Sequence, residues 1–200
     1  KGRTRCLRMS EMRRRDFLAA MAALPAAKIE GSVLVHEHVM VDFAGADRIR
    51  QGGYDSKEVF RAAKPKLEEA KLYGCRRLLE CTPNFLGRDA KLMRRLADAT
   101  GLEIWINTGI YGASNHKYVP KFVRGETAEK LARRWIREVQ KGVDGVRPRF
   151  IKTGVNKAPL DELDRKLVKA AAITSRETGL QIASHTGDGA AALEQLEILA

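Results

Sequence analysis

The sequence predicts an α/β chain on a parallel sheet, of the (β/α)8 TIM-barrel type and represented here by about five of eight β/α units. Three observations predict it. Five short apolar segments each end in polar residues, a loop and an amphipathic helix follow each one, and no glycine-rich turn follows the first. Strand-helix alternation calls for parallel strands joined by helical crossovers. A dinucleotide-binding sheet would carry G-x-G-x-x-G after its first strand, and "HEHVMVDFAGAD" does not, so the barrel is favoured over the open doubly wound sheet.

Residues 1–27 read as an address. "MRRRDFLAAMAALPAA" sets consecutive arginines before a short apolar run that ends in small residues, the layout of an export signal, and Arg14-Arg15 followed by Asp16, Phe17 and Leu18 resembles its twin-arginine version. The run is far short of the roughly 20 residues of a membrane span. This predicts cleavage after Ala27 and a periplasmic or extracellular protein with no stable membrane anchor; an amphipathic N-terminal helix is the rival reading.

The repeating elements follow in order. Strands are expected at 32–38 (SVLVHEH), 75–82 (CRRLLECT), 102–109 (LEIWINTG), 149–155 (RFIKTGV) and 180–187 (LQIASHTG). The first helix, 55–74, places Val59, Phe60, Ala63, Leu67 and Ala70 at helical spacing, with Pro65 able to kink or divide it. The helix over 88–101 repeats Leu92, Met93 and Leu96, and Asp89 offers a cap. The helix over 126–142 carries Leu131, Trp135 and Ile136, and the one over 159–179 carries Leu163, Leu167 and Ala171. Each stops at a glycine: Gly74, Gly101, Gly142 and Gly179. A last helix runs toward Ala200.

The formal net charge is +12, and seven Lys/Arg against two Asp/Glu in the first 27 residues account for +5 of it. The rest is spread in pairs over expected helix surfaces (Arg76-Arg77, Arg94-Arg95, Arg133-Arg134), without interleaved aromatics to stack on bases, so no nucleic-acid partner is expected. Cys75 and Cys81 lie on one strand about 20 Å apart. That is too far for a disulfide.

On a barrel, functional side chains gather at the C-terminal ends of the strands. Those ends carry His36 and His38, Glu80, Asn107, Lys152 and His185. His36 and His38, two apart on a strand, point to the same face. Lys152 in "FIKTGV" sits in an apolar strand, where desolvation drives an ammonium pKa down and leaves an amine able to react with carbon dioxide. The alternative is a lysine that snorkels to solvent.

Residues 31–200 resemble the phosphotriesterase family of the amidohydrolase superfamily through "VLVHEH", "LLECTPNFLGRD", "INTGIYG", "RFIKTGV" and "ASHTGDG", in that order. The resemblance implies two divalent metal ions, with zinc suited to the donors and cobalt, iron or manganese fitting them as well: His36 and His38 on one, His185 on the other, and a CO2-derived carbamate on Lys152 bridging both. It also implies hydrolysis of small-molecule esters, lactones and/or organophosphate triesters, by a hydroxide held between the ions. Tyr111 falls where the family places an aromatic on the leaving-group side, and a tyrosine there is similar to the lactonase branch. A further histidine on strand six and an aspartate on strand eight have no counterpart in these residues. Residues 28–200 are thus expected to be the N-terminal part of a metal-dependent hydrolase barrel, with exposed sheet edges that invite pairing with a second copy as a homodimer. Two alternatives stay open: a TatD-like metal-dependent nuclease, which the strand "FIKTGV" does not fit, and a truncated fragment without activity.

Overall fold

The computed structural model describes residues 31–49 and 53–200. The signal segment expected at 1–27 lies outside the described residues. The described elements run β1 (Ser32–Glu37), α1 (Ser56–Leu72), β2 (Cys75–Glu80), α2 (Ala90–Thr100), β3 (Glu103–Trp105), β4 (Asn107–Thr108), α3 (Lys121–Gly125), α4 (Ala128–Lys141), β5 (Phe150–Val155), α5 (Glu162–Thr178), β6 (Ile182–Thr186) and α6 (Gly189–Leu199).

All strand pairs are parallel, and neighbours in the sheets are neighbours in the chain: β1-β2-β3, then β4-β5-β6. A doubly wound sheet would reverse direction at a switch point, and none occurs. The winding is that of a (β/α) barrel which does not close on itself.

The segment expected to be one third strand is split. It leaves β2 at Trp105, turns through Ile106, whose carbonyl accepts from Arg149 N–H at 2.9 Å, and pairs with β5 from Asn107 onward. The helical layer covers the convex side in two main cores. One gathers Leu67, Leu78, Leu92, Leu96 and Ile106, the other Val123, Leu131, Trp135, Ile151 and Leu167.

α1 is one helix with Pro65 inside it, so the proline does not divide it. Asp89 caps α2 by accepting from Leu92 N–H at 2.8 Å, and Gly101 and Gly179 close their helices in left-handed conformation. α3 was not expected. Arg76 and Arg77 lie on β2 rather than on a helix: Arg77 stacks 4.0 Å from the Trp105 ring and pairs with Glu103. Cys75 and Cys81 are both buried free thiols. No helix among the described residues is long and apolar enough to cross a membrane.

Candidate active site

Alternation along β5 decides what faces the inside of the curved sheet. Ile151 packs into the core with Leu131, Trp135 and Leu167, so its neighbour Lys152 points to the opposite, concave side. Lys152 is only 2% exposed. β4 runs tightly against it: Gly109 has φ +117°, and a Cβ there would meet the Lys152 carbonyl oxygen at 2.1 Å. Only glycine admits that approach.

A cavity of about 160 Å³ opens on the concave side, and His36, His38, Lys152, His185 and Tyr111 all line it. β1 and β6 stand at opposite ends of the strand order, yet the sheet's curvature brings His36 and His185 to one volume. His36 and His38 share it although β1 ends at Glu37; their ring centroids are 5.3 Å apart. Tyr111 lies 5.2 Å from the His185 ring. Gly154 makes that pairing possible, because a Cβ there would lie 2.9 Å from the Tyr111 ring and 3.2 Å from His185 Cβ.

The electrostatics follow from the enclosure. Burial lowers the pKa of His36, and the charge of Lys152 lowers it further against the pull of Glu37. Burial lowers His38 as well, followed by His36 and Lys152, and lowers His185, followed by Lys152 and His36. Burial also lowers Lys152, opposed by Cys81, and none of the ion pairs among the described residues includes it. Three imidazoles with available lone pairs therefore surround a lysine whose proton is loosely held. Burial pushes the Tyr111 phenol up.

Glu80 and Asn107, expected at the rim, sit behind the cavity instead. Glu80 is 1% exposed, and burial pushes its carboxyl up to about 7 despite hydrogen bonds from the Thr82 hydroxyl, Thr82 N–H and Val39 N–H. The Asn107 amide donates to the carbonyls of Glu80 and Thr82 at 2.9 and 3.0 Å, and its Oδ1 is buried without a partner.

Phe43, Leu86, Ser114 and Tyr118 also line the cavity and carried no signal in the sequence, since they come from loops without periodicity. A second group was not foreseen either. His116, Asp161 and Asp164 offer ligand atoms within 4.8 Å of one another, a potential metal-binding cluster. His116 Nε2 lies 3.1 Å from Asp164 Oδ1, Asp161 caps α5, and Asp164 accepts from Asn156 N–H. None of the three lines the cavity.

Comparison with known proteins places this geometry. The chain is 27% identical over 177 residues to the phosphotriesterase homology protein of Escherichia coli, covering 84% of this chain and 57% of that protein. It is 28% identical over 175 residues to the aryldialkylphosphatase of Saccharolobus solfataricus, covering 84% of this chain and 54% of the other. It thus spans about half the length of these curated relatives. The crystal structure of the Escherichia coli protein, complexed with phosphate in its active site, superposes with a TM-score of 0.72 at 26% identity, covering 84% of this chain and 57% of that one. The sequence model of the phosphotriesterase family matches residues 18–200, and with that match the chain belongs to the phosphotriesterase family.

Proposed function

We propose that this chain carries the lysine-bearing half of the active site of a metal-dependent hydrolase of small-molecule esters, lactones and/or organophosphate triesters. One observation carries the reading: His36, His38 and His185 converge on one cavity around Lys152, a buried lysine without a carboxylate partner among the described residues. That donor set fits two divalent ions. Imidazoles offer nitrogen lone pairs, and an amine of lowered pKa can take up CO2 to become an anionic oxygen donor, which would relieve the uncompensated positive charge. His36 and His38 would hold one ion, His185 the other, and carboxylated Lys152 both. Such ions supply an activated water and polarise the oxygen of the scissile group.

The chain's own residues do the rest. Buried Leu86 gives the cavity an apolar wall, and Tyr111 presents an aromatic face and a phenol that stays protonated at neutral pH. A tyrosine at this place supports the lactonase branch. Zinc suits the mixture of nitrogen and oxygen donors. The sequence around Arg14 and Arg15 supports export from the cytoplasm; an Arg14→Lys, Arg15→Lys double variant should remain inside, measured by fractionation, and equal export would overturn this.

The test is Lys152. In a chain carrying the whole barrel, Lys152→Ala should abolish lactone and aryl phosphotriester hydrolysis and lower bound metal, measured by elemental analysis, whereas Lys152→Glu should keep more of both because a carboxylate partly replaces the bridge. Near-parental metal content and turnover in Lys152→Ala would make the lysine structural.

A further inference from the structure

Thr82, immediately behind the cavity, has more partners than its one hydroxyl proton can serve. Its Oγ1 lies 2.5 Å from Glu80 Oε1, 2.9 Å from the Met40 carbonyl oxygen and 2.9 Å from His38 Nδ1. A carbonyl only accepts. With Glu80 ionised, the hydroxyl proton goes to Glu80 or to Met40; with Glu80 protonated, the carboxylic acid donates to Thr82 and the hydroxyl donates to Met40. In either state Met40 or Glu80 competes for the one hydroxyl proton, so the greatest number of these contacts is satisfied when His38 Nδ1 carries a proton and donates it. His38 Nε2 is then the bare nitrogen.

The arrangement is rigid. Thr82 is 1% exposed, its N–H donates to Glu80 Oε2 at 3.2 Å, and the Asn107 amide holds the carbonyls on both sides of Cys81. We propose that Thr82, backed by Glu80, is the positioning residue of His38: it fixes the Nδ1–H tautomer and turns Nε2 toward the cavity. Use of that Nε2 as a metal ligand rests on the function proposed above, but the tautomer does not.

The experiment therefore begins without metal. Nitrogen-15 NMR of the histidine rings in the chelator-treated chain, with His38→Gln to assign the resonance, should show His38 Nδ1 protonated. Thr82→Ser should keep that pattern, and Thr82→Val should move His38 toward the Nε2–H form that free histidine prefers, with the His116 signal unchanged as a check on folding. A parental His38 in the Nε2–H form would overturn the proposal even if Thr82→Val fails to fold, and so would a folded Thr82→Val that keeps the parental tautomer. With zinc added, Thr82→Val should bind roughly 10–100-fold more weakly than the parent, and Thr82→Ser should recover most of the loss. If the parent shows Nδ1–H yet takes up no zinc, the function proposed above fails while the positioning stands.

Discussion

Glu80 is where burial and ionisation conflict most. Its folded pKa of about 7 lies above the ordinary 4.5, so the folded state holds this proton more tightly than the unfolded chain. The contribution to stability is then fully present below pH 4.5 and lost as pH rises through about 7, by on the order of 3 kcal/mol. Glu80→Gln cannot titrate, so the gap between its urea-denaturation stability and the parent's, both metal-free, should change by about that amount between pH 5 and pH 8. A gap independent of pH would place Glu80 in a better-solvated setting. The lowered histidines act in the opposite sense, with stability falling as pH drops below 6.5, and they are common to both proteins. At Gly154 the expectation is steric: Gly154→Ala drives a methyl against the Tyr111 ring and should cost about 1–3 kcal/mol, read from the shift in denaturation midpoint. That His36, His38, Lys152, His185 and Tyr111 would line one cavity was legible because they lie on or just after parallel strands whose inward faces meet on a barrel, although Lys152 sits in the middle of β5 rather than at its end. Thr82, Tyr118 and His116 were not legible, because what singles them out is a partner about 40 residues or more away in the chain, His38 for Thr82, Phe43 for Tyr118 and Asp164 for His116.

The elements were legible where chemistry punctuates the chain. α2 begins at Asp89, whose carboxylate accepts from Leu92 N–H at 2.8 Å and also from the Tyr54 hydroxyl, and ends at left-handed Gly101. Asp89→Ala should therefore cost more than the ~1 kcal/mol of an ordinary cap, since a part-buried phenol loses its partner too. Asp89→Asn should recover much of it, both followed by chemical denaturation. α3 escaped the sequence because five residues are too few to show a helical period. The division of β3 from β4 escaped it for another reason: "EIWINT" carries no glycine or proline to mark a turn, and only the change of hydrogen-bonding partner at Ile106 separates the halves.

At the scale of the whole molecule, curvature is what brings β1 and β6 to one cavity, and among the described residues each has a strand partner on one side only. Large apolar side chains lie exposed there and on the flanking helices: Val35 at 67%, Leu72 at 76%, Leu193 at 64% and Leu196 at 61%. Beside β1, Val59, Ala63, Leu67 and Leu78 line an open groove of about 670 Å³. Concentration-dependent association of the 200-residue chain is the expected result, seen by light scattering after size exclusion. Val35→Lys combined with Leu193→Glu should reduce it, and a parent that stays monomeric at high concentration would contradict the expectation. The turn at Ile106 has a further consequence. It divides the buried side chains of the two main cores in sequence order, since those of one core come from residues 67–106 and those of the other from 110–171, while Val143 and Val146 pack on the first and Phe85 on the second. Across this seam Arg88, with its side chain 4% exposed, donates to the Asn107 carbonyl and grips Glu138 of α4 through two bonds of 2.8 and 3.0 Å. Arg88 is one of several links across the seam, with the Asn107 amide on the Glu80 and Thr82 carbonyls and Arg149 N–H on the Ile106 carbonyl, and the two blocks are expected to behave as coupled cooperative units. In native-state hydrogen exchange their slowest amides should open at a common free energy in the parent, and Arg88→Met should split them into an early-opening block and a late one.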